Sequence, residues 1–527
     1  MSMSKRDFLK GAMTTMAAMP FVAAEAKKAV LPKKWDITTD VVVLGYGGAG
    51  ACAAITAKDA GAQVMIFEKW DQGGGNTALS SGGMMIPNNE ERAYAYLAKT
   101  YEFANSERDD EQLRAFVKEA MQSKDFLMGL KPDQKLYIYG HAGFQGIPES
   151  DAIDKWRFRA EKGSKMRGGD VLFANYRYAV EEVRKIPVVY KARALKLITE
   201  NDEVLGAWIE IDGVKKAVKA RRGVVLATGG FEWDDLMLSN HTMGKDFQRL
   251  GHPGNTGDGV RMAQAVGAAL WHMNALSCPL GLVVPGVKAS MQINMLAPSH
   301  IYVDQDGKRF ANEKMDNHTC IYGVNVLDPI KHRYPRIPCF VIFDEEARKR
   351  GPIIGGATSG YALNRENYQW SADNSAEIEK GVIVKAGTLE DLAKKIGVPE
   401  ENLVETVKRW NEQIKAGADK DFGRAIEKKG KMSFEGREAP IVSAPLGDGP
   451  YYAAKLYPAI LNTQGGPRRN TRGQVLNPFN EPLARLYSAG ELGSMWGHIY
   501  QGATNNSEAC VFGRIAGRTV AAEKPWG

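Results

Sequence analysis

The sequence has 527 residues, of which 44% are apolar and 25% charged. This composition excludes a disordered or fibrous chain and favours a globular protein of two or three domains. The net charge is +7, but residues 1–34 hold seven Lys/Arg and two acids, a charge of +5, which leaves +2 for the remainder. No basic stripe with interleaved aromatic residues occurs, so we expect no nucleic-acid partner.

The residue types that bind metals or haem are too scattered to form a recognisable site. The five cysteines stand at positions 52, 278, 320, 339 and 510, and the eight histidines form no H-E-x-x-H or similar pair. No C-x-x-C-H sequence for covalent haem occurs. We therefore predict no metal site and no haem on this chain.

The N-terminal segment has the features of an export signal. It reads "MSMSKRDFLKGAMTTMAAMPFVAAEAKK", with basic residues, an apolar run over 11–24, and then Ala-Glu-Ala. The run is too short to cross a bilayer, and its end resembles a signal-peptidase site. "SKRDFLK" is similar to the twin-arginine export signal, with Lys5 at the first arginine. We predict a signal over residues 1–26, a periplasmic or extracytoplasmic location and no transmembrane segment; an uncleaved amphipathic helix is the alternative.

A dinucleotide site is predicted near the start of the remaining chain. Residues 40–50, "DVVVLGYGGAG", run from a buried strand into G-x-G-x-x-G at Gly45, Gly47 and Gly50. A helix with small residues follows, and a second strand ends in Glu68. The glycines let the backbone approach a pyrophosphate, the helix N-terminus stabilises its charge, and the acid binds ribose hydroxyls.

Two later segments favour FAD over NAD. "KARRGVVLATGGF" (219–231) is a buried strand that ends in Thr228-Gly229-Gly230, and "ARLYSAGELG" (484–493) is a strand that ends in Gly490-Glu491. Late strands of this kind return to the nucleotide fold in two-domain flavoproteins, where the acid contacts the ribitol. No second G-x-G-x-x-G is present for a nicotinamide cofactor.

Several segments together resemble one family, the fumarate reductase/succinate dehydrogenase flavoprotein superfamily. "EKWDQGGGNTALSSGGM" (68–84) is similar to its flavin-cradling loop, and 251–268, 303–313, 388–417 and 462–476 follow in the expected order. The superfamily includes soluble fumarate reductases, urocanate reductase and the 3-ketosteroid dehydrogenases. The resemblance covers essentially all of residues 38–522.

The resemblance implies an α/β fold: a Rossmann-like FAD-binding domain with an inserted α+β capping domain. We expect the FAD-binding domain at 35–272 and 459–527, with the capping domain at 273–458. Residues 388–417 are predicted to form two helices split at Gly397-Val398-Pro399, with apolar faces that pack inward.

The resemblance also implies the cofactor contacts. Membrane-complex members attach FAD through a histidine where this chain has Asn76, so we expect FAD to be bound non-covalently. The predicted cofactor contacts are Gly45, Gly47, Gly48, Ala49, Gly50, Glu68, Lys69, Gly75, Asn76, Thr77, Ser81, Gly82, Gly83, Ala194, Thr228, Gly229, Gly230, Thr256, Gly257, Asp258, Gly490, Glu491, Asn506 and Ser507.

The family's carboxylate-binding residues are replaced by neutral ones in this sequence. Its arginines fall on Asn317 and Tyr500, and its histidines fall on Asn462 and Cys278. Its Thr-Glu pair falls near Gln292 and Ile293. Burying two carboxylates there without partners costs several kcal/mol per ion. Fumarate and succinate are therefore not the expected substrates.

A neutral carbonyl substrate suits Tyr500 better. "GHIYQG" (497–502) is similar to "GHTYPG" of the 3-ketosteroid dehydrogenases, where a tyrosine polarises the substrate ketone. Those enzymes place a second tyrosine, the base, near Asn317 and His318. His318 is the candidate for proton transfer, with an exposed loop histidine as the alternative. The predicted catalytic residues are Tyr500, His318 and Asn317. His498 is a weaker substrate contact, and Tyr137, Tyr139 and His141 are candidates for the pocket mouth.

The leading hypothesis is an exported FAD-dependent oxidoreductase that reduces an α,β-unsaturated organic acceptor other than fumarate. A separate cytochrome or quinol-linked protein would then exchange electrons with it. One alternative is a 3-ketosteroid-type dehydrogenase that runs oxidatively. The other is a flavin-bearing electron carrier or binding module without substrate turnover.

Overall fold

A computed structural model describes residues 31–527 except 105, 145, 162–163, 165, 167, 316–317, 356–367, 427–432, 435–436 and 439–442. Two sequence predictions, the export signal at 1–26 and the catalytic role of Asn317, lie outside the described residues.

The described chain alternates strands and helices. The strands are β1 (Ile37–Leu44), β2 (Val64–Phe67), β3 (Met84–Pro87), β4 (Leu136–His141), β5 (Ile153–Phe158), β6 (Val188–Val189), β7 (Ala192–Glu200), β8 (Glu203–Ile211), β9 (Val214–Leu226), β10 (Gln248–Arg249), β11 (Leu270–Trp271), β12 (Leu276–Ser277), β13 (Leu280–Leu282), β14 (Met291–Gln292), β15 (His300–Val303), β16 (Cys339–Asp344), β17 (Ile383–Ala386), β18 (Ser433–Phe434), β19 (Arg437–Glu438), β20 (Tyr451–Ile460), β21 (Asn462–Thr463), β22 (Gly466–Pro467), β23 (Gln474–Leu476) and β24 (Pro482–Ser488). The α-helices are α1 (Gly48–Asp59), α2 (Gly75–Leu79), α3 (Glu90–Ala104), α4 (Asp110–Ala120), α5 (Ser123–Met128), α6 (Gly168–Arg177), α7 (Asp235–His241), α8 (Asp258–Ala265), α9 (Ile321–Val324), α10 (Glu345–Lys349), α11 (Ser375–Glu379), α12 (Leu389–Ile396), α13 (Glu400–Lys415) and α14 (Thr504–Ala522). Shorter helical turns cover Ser150–Ala152, Tyr178–Val183 and Gly497–Ile499.

The first sheet is built around β1, whose second half is buried on both faces. Its strands lie in the order β23-β24-β8-β9-β1-β2-β6, with β7 on β8, and β1 pairs in parallel with both β2 and β9. A continuous Val-Val-Val-Leu run suits such a strand, because helices cover both faces of a parallel sheet. Helices α1 and α14 pack against each other beside it. The predicted α/β fold class is confirmed.

The second sheet is centred on β20 and is mostly antiparallel. Its order is β14-β13-β20-β16-β15, and β10 and β17 also pair with β20. The neighbouring helices α12 and α13 bury the apolar faces expected from their sequence, including Leu392, Leu403 and Trp410. They are separated at Gly397, which ends α12 in the left-handed region at φ 76°. The predicted domain boundaries remain predictions; β20 crosses the one at 458.

A third, smaller sheet has the order β3-β5-β4. The register of β4 against β5 shifts between Ile138 and Gly140, so Tyr139 is the extra residue of a β-bulge. A bulge of this kind bends the strand and redirects a side chain, often beside an active site. The hairpin formed by β4 and β5 places β5 in the wall of the cavity that the glycine-rich turn also lines.

The described residues contain neither a membrane-spanning helix nor a metal-binding cluster. In that part of the chain, no helix combines the length and apolar content needed to cross a membrane. The same residues contain no group of three or more His, Cys, Asp or Glu side chains that could hold a metal ion. All five cysteines are buried, and none forms a disulfide bond within the described residues.

Candidate active site

One cavity is lined by the glycine-rich turn and also by Tyr500 and His318. We call the part at the glycine-rich turn the nucleotide end and the part at Tyr500 and His318 the reacting end. The turn is close-packed. Gly45 has φ +100°, and a Cβ there would lie 2.4 Å from the carbonyl oxygen of Ala227. Helix α1 begins immediately after the turn, at Gly48, with no acidic residue in its first turn. The exposed backbone and the positive end of the helix dipole suit a phosphate group.

Glu68 directly follows β2 and lines the same cavity. Its carboxylate accepts hydrogen bonds from the backbone N–H groups of Tyr46 (2.8 Å) and Trp70 (2.9 Å). Burial raises the pKa of Glu68, while these two hydrogen bonds act in the opposite direction. The side chain is thus held rigidly at the position from which an acid binds ribose hydroxyls.

A cluster of two cations, Lys69 and Arg193, and one carboxylate, Asp258, forms another part of the nucleotide end. The Lys69 ammonium group donates to Thr256 Oγ1 and Asp258 Oδ2, both at 2.8 Å, and Arg193 donates to the other oxygen of Asp258 at 2.9 Å. Thr256 lies in an adjoining surface cavity that shares Ala194 and Asp258 with the main one. The cluster therefore extends the nucleotide end toward the surface.

Asn76 connects two buried carboxylates beside the cavity. Its amide nitrogen donates to Glu232 Oε1 (2.9 Å) and Glu491 Oε2 (2.8 Å), and its oxygen accepts from the backbone N–H of His252 (2.7 Å). Asn255 donates a further hydrogen bond of 2.8 Å to Glu232 Oε1. Burial raises the pKa of Glu232 to about 7 and raises that of Glu491 well above its ordinary value. The two carboxylates therefore hold a proton between them at neutral pH.

The cavity wall contains polar atoms that lack partners. Among the described residues, nothing bonds the hydroxyl of Thr228 or either amide atom of Asn505, although these atoms are buried. Both residues line the cavity. Buried polar groups are normally hydrogen-bonded. Together with the glycine turn and Glu68, these atoms fit a polar dinucleotide in the cavity.

At the opposite end, Tyr500 and His318 lie in ring contact. The ring centroids are 4.8 Å apart at an interplanar angle of 79°, and Tyr500 is 7% exposed. The hydroxyl of the buried Ser277 lies 2.8 Å from His318 Nδ1. A Cβ at Gly502 would lie 3.2 Å from Nε2 of the same imidazole. The imidazole is therefore oriented on one side by a serine and accommodated on the other by a glycine.

The loop that carries Tyr500 is anchored through its neighbour, Gln501. The Gln501 side-chain oxygen accepts hydrogen bonds from the Tyr96 hydroxyl (2.6 Å) and the Gly143 backbone N–H (3.0 Å). The Tyr96 hydroxyl in turn accepts from the backbone N–H of Phe144 at 3.1 Å. These bonds tie the segment after β4 to the loop before α14, which fixes the place of Tyr500 relative to the β4–β5 hairpin.

The hairpin contributes two cations to the cavity wall, Lys155 and Arg157 on β5. The Arg157 guanidinium lies over the Tyr139 ring, 4.3 Å from its centroid. Its Nε is buried and has no hydrogen-bond partner among the described residues. The described lining contains three carboxylate residues, Glu68, Asp258 and Glu491.

Most of the residues predicted from sequence come together in this cavity. The predicted residues that line it are Gly45, Gly47, Gly48, Ala49, Glu68, Lys69, Gly75, Asn76, Thr77, Ser81, Ala194, Thr228, Gly229, Asp258, His318, Asn462, Gly490, Glu491, Tyr500 and Asn506. The predicted residues outside its lining are Gly50, Gly82, Gly83, Gly230, Thr256, Gly257, Cys278, His498 and Ser507.

Several of the outlying residues have visible roles of their own. A Cβ at Gly50 would lie 2.0 Å from the Gly45 carbonyl oxygen, so this glycine allows α1 to pack on β1. The Ser507 hydroxyl accepts from the backbone N–H of Met85 and donates to the Ala503 carbonyl oxygen. His498 Nδ1 lies 2.8 Å from the Tyr322 hydroxyl. Cys278 packs in the apolar core, where burial raises the pKa of its thiol.

Four residues of the site were not predicted from the sequence: Ser277, Lys155, Arg157 and Asn505. Ser277 is paired with Asn462 across β12 and β21, so the two side chains share one face of the ladder, while Cys278 is on the other. The pairing of Ser277 with Asn462 was the signal from which Ser277 could have been predicted. The cations of β5 belong to no motif. Of the three mouth candidates, Tyr139 lines the cavity, whereas Tyr137 and His141 do not.

Comparisons with known proteins agree with this geometry. The family model described as "FAD binding domain" matches residues 40–507. A 3-oxosteroid 1-dehydrogenase of Mycolicibacterium smegmatis is 28% identical, over 92% of this chain and 97% of the relative. An NADH:fumarate oxidoreductase of Klebsiella pneumoniae is 27% identical, over 95% of this chain but 49% of the relative. The crystal structure of 3-ketosteroid delta1-dehydrogenase from Sterolibacterium denitrificans, in complex with 1,4-androstadiene-3,17-dione, has the same fold. Its TM-score is 0.79 at 24% identity, over 92% of this chain and 99% of that one.

Proposed function

The chain belongs to the FAD binding domain family, and from that premise we propose the reaction that it performs. It is an FAD-dependent oxidoreductase that acts on carbon–carbon bonds. In our proposal it reduces an α,β-unsaturated compound other than fumarate, and the carbonyl at the reacting end of that compound is uncharged.

The cofactor and the protein contribute different parts of the proposed reaction. Bound FAD supplies hydride transfer at flavin N5, and the protein supplies binding, orientation and proton handling. The Tyr500 phenol donates a hydrogen bond to the carbonyl oxygen, which stabilises the negative charge that develops there. His318, oriented by Ser277, delivers the proton to the carbon beside the carbonyl.

One observation carries this proposal: Tyr500 lines the cavity in contact with His318. The sequence resemblance places Tyr500 at the position of the carboxylate-binding arginine of the family's dicarboxylate reductases. The neighbouring family positions are also neutral, since Asn462 and Gln292 line the same wall. A neutral donor matches a neutral acceptor oxygen, whereas a carboxylate left without a cation there is strongly disfavoured.

The test uses holoprotein whose flavin has been reduced under anaerobic conditions. Fumarate, urocanate, an aryl-acrylate, a benzylidene ketone and a 3-keto-1,4-diene steroid are added separately while flavin absorbance is followed. We expect rapid reoxidation by a conjugated ketone and no comparable reoxidation by fumarate. Rapid reoxidation by fumarate alone would overturn the proposal.

A second candidate is oxidation of a saturated ketone, as the printed name of the M. smegmatis relative suggests for that protein. The same tyrosine and histidine would serve, with His318 taking the proton that the reductive direction adds. Saturated 3-ketosteroids would then bleach the oxidised flavin, whereas a reductase would leave it oxidised.

Three further proposals concern the holoprotein and its setting. Asn76 provides no imidazole for a histidyl link, and both atoms of its amide group are already hydrogen-bonded, which supports non-covalent FAD. A separate cytochrome or quinol-linked protein would deliver electrons, since the chain has no C-x-x-C-H sequence. The basic and apolar segment at 1–26 supports export through the twin-arginine route.

Export has a direct test. The chain is expressed in a bacterium with an intact twin-arginine translocase and in one that lacks it, and the periplasmic fraction is analysed by N-terminal sequencing. We expect a mature protein that begins near residue 27 in the first strain only. Equal amounts in both strains would contradict this route.

A further inference from the structure

The reacting end of the cavity has a positive wall that the proposed chemistry does not use. Lys155 and Arg157 both line the cavity from β5. Among the described lining residues, each of the three carboxylates is bonded to another group: Glu68 to backbone N–H groups, Asp258 to Lys69, and Glu491 to Asn76. Two cations on one wall of a ligand cavity favour a ligand that carries negative charge near them.

Contacts of the hairpin place this wall beside Tyr500. Arg157 stacks on Tyr139, and a Cβ at Gly83 would lie 2.1 Å from the Tyr139 hydroxyl and 3.2 Å from the Cβ of Ala503. Ala503 is three residues from Tyr500, in the loop that Gln501 ties to the hairpin. The glycine-rich turn leads into α1 at Gly48, whereas the two cations lie on β5 of the third sheet.

Arg157 is poised to receive an anion. Its guanidinium plane is held by the aromatic ring, and its buried Nε lacks a hydrogen-bond partner among the described residues. A guanidinium binds a carboxylate through two parallel hydrogen bonds, and a fixed plane loses little conformational freedom on binding. Lys155, two residues earlier on the same strand, adds a second positive charge to the same wall.

We propose that Arg157, with Lys155, binds a carboxylate of the substrate that is remote from the reacting carbonyl. This inference rests on the proposed function, because it places the ketone at Tyr500 and His318 and the carboxylate at β5. The substrates are therefore conjugated ketones with one distal carboxylate. The loss of the family's carboxylate ligands is thereby compensated at a different place, and for only one of the two charges of a diacid.

The test compares two acceptors that differ only in this charge, 4-(3-oxobut-1-enyl)benzoate and its methyl ester. Reoxidation of the reduced holoprotein is measured as kcat/KM for wild type, Arg157→Gln and Arg157→Lys. We expect wild type to prefer the acid by about 10- to 100-fold, the value of a charge-assisted hydrogen-bonded pair. Arg157→Gln should reduce that preference to within roughly threefold, and Arg157→Lys should retain part of it.

Arg159→Gln is the matched control. Arg159 follows β5, lies over the Tyr137 ring at 5.0 Å, and lines a separate surface cavity. This variant removes the same charge from the same hairpin and should keep the preference for the acid. Equal rates for acid and ester in wild type would overturn the inference. So would an Arg157→Gln variant that loses FAD and slows both acceptors equally, since Arg157 would then serve the cofactor.

A binding measurement separates this inference from the proposed reaction. Oxidised holoprotein is titrated with the saturated ketone 4-(3-oxobutyl)benzoate and with its methyl ester, and the flavin absorbance change gives Kd. If neither enone is turned over but the acid binds more tightly in wild type and not in Arg157→Gln, the anion site stands and the proposed reductase function fails. If acid and ester bind equally, the anion site is refuted whatever the turnover.

Discussion

At the scale of single residues, removal of the Tyr500 hydroxyl distinguishes an enzyme that converts a substrate from a flavin-bearing electron carrier. Tyr500→Phe keeps the ring that packs against His318 and removes the hydrogen-bond donor. We expect acceptor-driven reoxidation to fall roughly 100-fold, the usual loss for one donor aimed at a developing oxyanion. Flavin content and the absorption spectrum should stay as in wild type. A variant with unchanged turnover would favour the alternative of a flavin-bearing carrier.

Glu232 gives a prediction about stability and pH. Its side chain is buried beside Glu491, and its pKa is raised to about 7 from an ordinary value of 4.5. Between these two pH values the folded state binds a proton that the unfolded state has released. The stability provided by that proton is complete below about pH 4.5 and is lost as the pH rises through 7.

Glu232→Gln removes this titration and preserves the hydrogen-bond acceptor for Asn76 and Asn255. We expect the variant to be more stable than wild type at pH 8, by roughly 1–3 kcal/mol, and to show a flatter pH dependence between 5 and 8. Denaturant unfolding across this range gives the comparison. Glu405→Gln, on the exposed face of α13, should leave the pH profile unchanged. A wild-type profile that rises with pH would contradict the argument.

At the scale of elements, the contact between α1 and α14 joins both ends of the cofactor site. Gly517 of α14 faces α1 so closely that a Cβ would lie 2.5 Å from the Ala53 carbonyl oxygen. The backbone atom cannot move aside without displacing a helix. Since α1 begins at the glycine turn and α14 begins beside Asn505, a change in their separation moves two walls of the cavity.

Gly517→Ala is therefore expected to destabilise the protein by about 1–3 kcal/mol and to weaken FAD binding. Thermal unfolding and the Kd of FAD measure the two effects. Gly323→Ala is the matched control, because Gly323 lies in α9 and a Cβ there meets no atom within 4 Å. Alanine improves helix propensity, so the control should be neutral or slightly stabilising. A Gly517→Ala variant as stable as the control would refute the close-packing argument.

The elements also explain how far the sequence could predict the site. The glycine turn, Glu68 and the residues of α2 were found because each lies in a local pattern of strand, turn and helix whose spacing determines its geometry. For Ser277, the prediction was wrong by one position, because it named the adjacent Cys278. Strand side chains alternate, so a change of one residue in the pairing of β12 with β21 exchanges Ser277 for Cys278.

Arg157 could not be predicted from the sequence, for a different physical reason. Its position depends on a register shift at Tyr139 and on hydrogen bonds that tie the hairpin to Gln501, far along the chain. Neither feature leaves a local pattern in the sequence. The fold class was predictable because buried parallel strands and amphipathic helices have distinct periods, whereas contacts between distant segments do not.

At the scale of the whole molecule, the cofactor site joins segments that are far apart in the chain. Its lining includes the carboxyl ends of β1, β2 and β9, the loop before α14, and Leu461 and Asn462, which follow β20 of the second sheet. A ligand that binds this folded arrangement and not the unfolded chain stabilises it by mass action. Stability should therefore depend on the FAD concentration.

We expect protein freed of flavin by acid dialysis to unfold at a lower temperature and to regain stability on adding FAD. The gain should be about 2.7 kcal/mol at 100 times Kd. Riboflavin is the control ligand: it lacks the ADP portion, so it leaves the turn at Gly48 and the acid at Glu68 unused and should stabilise much less. Equal stabilisation by riboflavin would contradict the assignment of the nucleotide end. Flavin that stays with the protein after acid precipitation would refute non-covalent binding, because Asn76 offers no atom for the histidyl link.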